Sequence, residues 1–240
     1  MFRALGLLSA LAASAAAGPA WPACRSAPEC DLAGTRALAS GQTEAAEAAF
    51  TAETGFAWCE GQTAQMVLAH NNAALLALRR GQPLRARLLA GVALKFDPRS
   101  TAALHNARLA DEAAALLPPA EGVGGRYEYL WGEPFGNSVD VQELPGRRIR
   151  FEVSATHDWN CAEMGIGPQG GADGRARLAG HEAVWETRRW TGELCRLRFS
   201  FGRDELTVTQ DGGDTDCGFG HGVHVDGTYR RTSREPHFTR

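Results

Sequence analysis

Apolar positions along this chain change their spacing twice. Residues 4–17 form an unbroken run of apolar and small side chains behind a single positive charge, Arg3. Residues 30–117 are rich in alanine and leucine and poor in β-branched side chains, a composition that favours helix. Beyond residue 124 apolar and polar side chains alternate with period two. Ile149, Phe151, Val153 and Ala155 interleave with Arg148, Arg150, Glu152 and Ser154. Cys195, Leu197, Phe199 and Phe201 do the same with Arg196, Arg198 and Ser200, and Leu206 and Val208 with Thr207 and Thr209. Such alternation predicts strands with one buried face.

The helical part divides at glycines. Gly41 and Gly81 each stand in a Gly-Gln pair 40 residues apart, with Ala46 and Ala86 five positions on. The pattern predicts helices near 31–40, 43–57, 63–80, 83–96 and 99–116, closed by Pro118-Pro119. The segment 118–124, PPAEGVG, reads as a linker. The alternating part predicts eight strands, at 126–131, 138–144, 148–156, 174–179, 183–188, 194–201, 204–210 and 222–231. The glycine-rich stretch 165–174 reads as a flexible loop anchored at Cys161. Short turns carrying Gly or Asp suit antiparallel hairpins. The expected architecture is a two-domain α+β protein. Helical hairpins over 24–117 precede an eight-stranded antiparallel β-barrel or closed sandwich over 125–240.

Ala73, Ala74, Gly81, Ala86, Ala93 and Pro98 stand at spacings that resemble a tetratricopeptide repeat, and Gly41, Ala46 and Phe50 supply an earlier, less complete copy. The resemblance covers about residues 30–117 and implies a stack of helical hairpins that contacts a protein partner. Farther on, Cys195-Arg196-Leu197-Arg198-Phe199-Ser200-Phe201, then Cys217-Gly218-Phe219-Gly220 and Asp226-Gly227-Thr228-Tyr229, are similar to a pattern of small exported bacterial domains. That likeness implies no activity.

The N-terminal run is about 14 residues, short of the roughly 20 needed to cross a bilayer. With Arg3 before it and Ala15-Ala16-Ala17 after it, residues 1–20 read as a secretory signal peptide. Trp21-Pro22-Ala23 before Cys24 does not fit a lipoprotein signal. The expected destination is the periplasm or the exterior, with no membrane span. A net charge of −3 offers no basic surplus for nucleic acid. All but one of the 25 basic residues are arginine, Lys95 being the exception, which fits a bias of codon composition.

In an oxidising compartment six cysteines imply disulfides. Two helices turning at Gly41 suggest Cys30–Cys59. A fold-back after the hairpin at 202–204 suggests Cys195–Cys217, and elimination leaves Cys24–Cys161. No C-x-x-C, H-E-x-x-H, G-x-S-x-G or phosphate-loop spacing occurs, so no motif implies a cofactor or a metal. Seven histidines are present: His70, His105, His157, His181, His221, His224 and His237. A histidine–carboxylate enzyme site would need 157–158, 181–182 and 221–224 to converge. Asp211-Gly212-Gly213-Asp214-Thr215-Asp216 is rich in oxygen donors but breaks the EF-hand pattern, and reads as a turn before Cys217. Tyr127, Tyr129 and Trp131 share one face of the first strand; with Trp185, and with Trp159 and Trp190 in the same domain, they either line a ligand cavity or fill the core. The expectation is an exported, non-enzymatic binding or scaffold protein of the bacterial envelope with a protein partner. A small-molecule carrier with its ligand inside the barrel, or a hydrolase, are the alternatives.

Overall fold

The computed structural model describes residues 24–131, 136–157, 159–162, 165–188 and 192–239. The expected signal peptide, Asp158 and Trp190 lie outside the described residues, as does the side chain of Trp159. Five helices come first: α1 (Ala27–Ala39), α2 (Thr43–Cys59), α3 (Thr63–Arg79), α4 (Pro83–Phe96) and α5 (Thr101–Ala115). The β part follows: β1 (Gly125–Tyr129), β2 (Asn137–Leu144), β3 (Arg148–Thr156), β4 (Trp159–Asn160), β5 (Gly165–Ile166), β6 (Gln169–Ala179), β7 (Glu182–Arg188), β8 (Leu194–Phe201), β9 (Glu205–Asp211), the short α6 (Asp214–Cys217) and β10 (Gly227–Ser233).

Helix α1 starts four residues earlier than its apolar pattern suggests. Ser26 caps it by accepting a bond from the Glu29 N–H, and Pro28 sits in the first turn, where a missing N–H costs nothing. The next three helix boundaries repeat one turn. Gly41, Gly61 and Gly81 all have positive φ, at 76°, 65° and 69°. The following N–H groups reach back to the same place each time: Gln42 to Ala37 O, Gln62 to Ala57 O and Gln82 to Ala77 O, at 2.8–2.9 Å. This left-handed glycine ending satisfies carbonyls that the helix leaves open.

Alanine decides how these helices pack. Ala46, Ala74, Ala86, Ala90 and Ala93 are fully buried, so neighbouring backbones approach closely. Helix α3 touches α1 and α5 as well as α2 and α4. The first two contacts are pinned by polar side chains: Asn72 donates to Asp31 at 2.8 Å, and Asn106 donates to Asn71 Oδ1 at 2.9 Å. Helices α1, α3 and α5 thus form one layer and α2 and α4 another, and α4 packs on β10.

The barrel closes in the order β1-β10-β9-β8-β7-β6-β3-β2, with every described pairing antiparallel. The alternating positions face as expected, with Ile149, Phe151, Val153 and Ala155 inside, joined by Leu197, Phe199 and Phe201. An eight-stranded barrel is just wide enough to be filled by its own side chains. Here rings do the filling, with Phe151 and Phe199 centroids 4.8 Å apart and Tyr127 packed on Phe201.

One expected loop is a strand. Residues 169–174 belong to β6, which pairs with β3 from Thr156↔Gln169 to Arg148↔Arg177. Glycine carries no side chain to show an alternation. A Cβ at Gly170 would collide with the backbone of Phe219, and one at Gly174 with the Trp185 ring. These glycines are needed for close approach, not for mobility.

Two expected disulfides are also different. The bonds are Cys24–Cys30, Cys59–Cys161 and Cys195–Cys217, and no cysteine is free. Cys30–Cys59 does not form because α2 runs unbroken to Cys59. Counted from Gly41, Cys30 lies 11 residues back and Cys59 18 residues on. At about 1.5 Å per residue the ends miss by about 10 Å, beyond the ~7 Å Cα limit for a bridge. Cys30 instead stands in the first turn of α1, within reach of Cys24, and Cys59 reaches the β4–β5 hairpin. Cys195–Cys217 forms as expected, because α6 folds the chain back over the start of β8.

Candidate functional site

The aromatic residues named as a ligand set do not act together. Tyr127 is 0% exposed, and its hydroxyl donates to Val123 O and accepts from Arg231. Burial, partly offset by Arg231, pushes its pKa up to about 12. Trp185 packs edge-on against Phe151 with centroids 5.5 Å apart. Both are core. Tyr129 packs between Tyr229 and Trp131, and Trp131, 55% exposed, is the most open of the described ones. Rings of Tyr127, Phe151, Phe199 and Phe201 occupy the barrel interior, where a carrier of the expected kind would hold its ligand.

The histidines do not converge either. His157 lies against Gly222, between His221 and His224 in sequence, at the end of the barrel where β6 begins. His181 sits in the turn after β6. The 11 residues of β6 separate those two ends by about 33 Å at roughly 3.3 Å per residue. His221 is fully exposed, 3.8 Å from Asp214. The acidic loop spends its oxygens on its own backbone: Asp214 accepts from the N–H groups of Gly222 and Thr215, both at 2.6 Å, and Asp216 accepts from the Gly213 N–H. Those bonds, that to Gly222 foremost, hold the Asp214 carboxyl below its ordinary range. Among the described residues no group of three or more His, Cys, Asp or Glu side chains is placed to hold a metal. His70 is buried in α3 and stacks on Phe96, while His105 lies exposed on α5. The His237 N–H bonds to Asp140 as the C-terminal segment crosses the barrel wall.

Concave features lie between the helices and the barrel. A cavity of about 220 Å3 is enclosed by α2, α3 and α4 on one side and β1 and β2 on the other. Charges of alternating sign cross it. Glu47 on α2 takes hydrogen bonds from Arg80 and Arg85, the latter at 2.9 Å. Arg85 on α4 faces Glu128 on β1 at 3.7 Å, and Arg126 on β1 bonds to Glu128 at 3.3 Å and to Asp140 on β2 at 2.7 Å. Burial alone pushes the Glu47 carboxyl up, but the two guanidinium groups outweigh it and hold it below the ordinary range. Burial raises Asp140, only partly offset by the His237 N–H and by Arg126. Phe50, Leu76, Leu89 and Leu130 supply the apolar wall. No motif announces this seam. Its members come from five elements and span residues 47 to 140, and the arginine content of α4 is its trace in the sequence.

A second candidate is the outer layer of helices. Leu32 on α1 and Leu68 on α3 are 50% and 37% exposed. The bond between Asp31 and Asn72 joins their helices, with Leu32 the residue after Asp31 and Leu68 one turn before Asn72. On a helix turning about 100° per residue, Leu68 faces opposite to Ala77, which lines the cavity toward the barrel. Helix α2 buries one more titratable group. Glu53 is 0% exposed, its Oε1 accepts from Gln65 at 2.6 Å, and its Oε2 has no hydrogen-bond partner. Burial, reinforced by the nearby Asp31 and partly offset by Gln65, pushes its pKa up to about 8.

Comparison of the chain with family models, with curated proteins and with solved structures found no match.

Proposed function

We propose that this chain is an exported, disulfide-braced binding or scaffold protein of the bacterial envelope, whose tetratricopeptide-like helices engage a protein partner. The observation that carries the reading is the leucine pair on α1 and α3. Two large apolar side chains are exposed on neighbouring helices joined by the Asp31–Asn72 bond, and Leu68 lies on the face of α3 turned away from the barrel. Exposed apolar residues in a polar surround are what a partner's apolar side chains bury on docking. The repeated glycine turns and the fully buried Ala86 and Ala93 support the repeat reading. Three disulfides support an oxidising compartment. Among the described residues no helix is long and apolar enough to cross a membrane.

Crosslinking in envelope extract, followed by mass spectrometry, tests the reading. A partner crosslinked near α1 and α3 by the wild-type chain, and lost from Leu32→Glu and Leu68→Glu variants that keep their helicity, supports it. A partner crosslinked equally by wild type and both variants places the contact elsewhere and overturns it.

A further inference from the structure

The three disulfides differ in what surrounds them. Cys195 and Cys217 are both fully buried, and Cys30 is fully buried beside a half-buried Cys24. Cys59 is half-buried and Cys161 is exposed. That third bond differs in topology too. Cys24–Cys30 spans 6 residues within the start of α1, and Cys195–Cys217 spans 22 within the barrel. Cys59–Cys161 spans 102 and ties the C-terminal end of α2 to the β4–β5 hairpin beyond β3. It is the covalent link between the helices and the barrel apart from the main chain itself.

We infer that Cys59–Cys161 is a thiol–disulfide exchange site, opened by a dithiol reductant while the other two bonds stay closed, and that it latches the helical layer to the barrel. Exchange requires a thiolate to reach a disulfide sulfur, so access decides which bond reacts first. The incoming thiolate attacks Sγ of Cys161, the exposed residue of the pair. The bond to Cys59 breaks, and Cys59 departs with the electron pair and takes up a proton. The second thiol of the reductant then attacks the mixed disulfide, releasing Cys161 as a thiol and leaving the reductant as a disulfide. Two electrons and two protons pass from the dithiol to the protein. Without the latch, the two parts are held by α4 on β10, by Leu130 packed against Ala77 and Leu89 of the helical core, and by the ion pairs Arg85–Glu128 and Arg87–Asp204, at 3.7 and 3.8 Å. Partly exposed pairs of this kind hold weakly, so the cavity between α3 and β2 opens to solvent more often.

The oxidised full-length chain treated with graded dithiothreitol under native conditions, quenched by alkylation and mapped by mass spectrometry, gives the order of opening. Cys59 and Cys161 are expected to be alkylated at least tenfold faster than the other four, with the circular dichroism unchanged. Amide exchange is expected to rise severalfold in β4, β5 and the residues lining the cavity, and to rise equally in an oxidised Cys59→Ser, Cys161→Ser double variant. Should another disulfide open first, or all three open together with loss of structure, the exchange site is refuted. Should exchange at the cavity stay at the oxidised level in the reduced chain, the latch is refuted, whether or not the double variant folds.

Discussion

Arg231 on β10 donates from Nη2 to the hydroxyl of Tyr127 on β1 at 2.6 Å, and the same nitrogen reaches Gly122 O at 3.1 Å. The two residues close one end of the barrel. Arg231 is 1% exposed, with its guanidinium 5.1 Å from the Tyr127 ring centre and Asp204 the nearest carboxylate, at 4.0 Å. Tyr127→Phe removes the acceptor and leaves a buried charged donor short of a partner. It is expected to cost about 1–3 kcal/mol. Arg231→Ala removes the plug as well and is expected to cost about 3–5 kcal/mol. Urea unfolding of the oxidised chain measures both. A loss for Tyr127→Phe as large as that for Arg231→Ala would mean that the hydroxyl, not the packed guanidinium, holds this end.

Glu53 makes stability depend on pH in a defined window. Its carboxyl stays protonated in the folded chain up to about pH 8, whereas its ordinary value is 4.5. Between those values the folded state holds a proton that the unfolded state has lost, so stability falls as pH rises from about 4.5 to about 8. The slope is at most about 1.4 kcal/mol per pH unit. Glu53→Gln keeps the shape and removes the titration. Its stability relative to wild type is expected to rise steadily from pH 5 to pH 8, as measured by chemical denaturation at each pH. A difference that stays constant across that range would place the Glu53 titration outside it.

Two helical glycines are expected to respond with opposite sign. A Cβ at Gly34 on α1 would enter the ring of Phe50, which is 2% exposed between α1 and α2. Gly34→Ala is therefore expected to destabilise by about 1–3 kcal/mol through overpacking. A Cβ at Gly91, inside α4, meets nothing within 4 Å. Gly91→Ala is expected to stabilise by about 0.5–1 kcal/mol by lowering the helix's entropy cost. Thermal melts of the two variants beside wild type decide the pair of signs.

Arg126 is expected to matter more to the seam than Arg85. It bonds to Asp140, whose side chain is 5% exposed, as well as to Glu128. Arg126→Ala leaves the Asp140 carboxylate supported mainly by the His237 N–H, and is expected to loosen the C-terminal segment. Limited proteolysis near residues 234–239 should quicken in Arg126→Ala and remain near wild type in Arg85→Ala.

Where structure follows from neighbours in sequence, the chain reads directly. The period-two runs at 148–156 and 194–201 place Ile149, Phe151, Val153, Leu197 and Phe199 in the core, because successive side chains on a strand point to opposite faces. Gly41 and Gly81 mark helix ends because only glycine adopts their left-handed backbone without strain. Gly61 makes the same turn and stands 20 residues from each, midway in the 40-residue spacing of Gly41 and Gly81. The number of strands in the closed barrel also follows from local alternation, and Cys195–Cys217 from the hairpin between them.

Other features depend on distances that no local pattern contains. The pairing of Cys59 with Cys161 depends on how far α2 extends past Gly41 and where the β4–β5 hairpin comes to rest. Strand β6 was hidden by its glycines, whose missing side chains make room for Phe219 and Trp185 from distant parts of the chain. The charged seam joins Glu47, Arg85 and Glu128, residues without a shared motif, because α4 packs against the barrel. Local periodicity and turn chemistry thus determined the elements and their buried faces, since those depend on backbone geometry within a few residues. Only the packing of helices on barrel decided the disulfide that joins them, the cavity between them and the filled interior, since each depends on which surfaces meet.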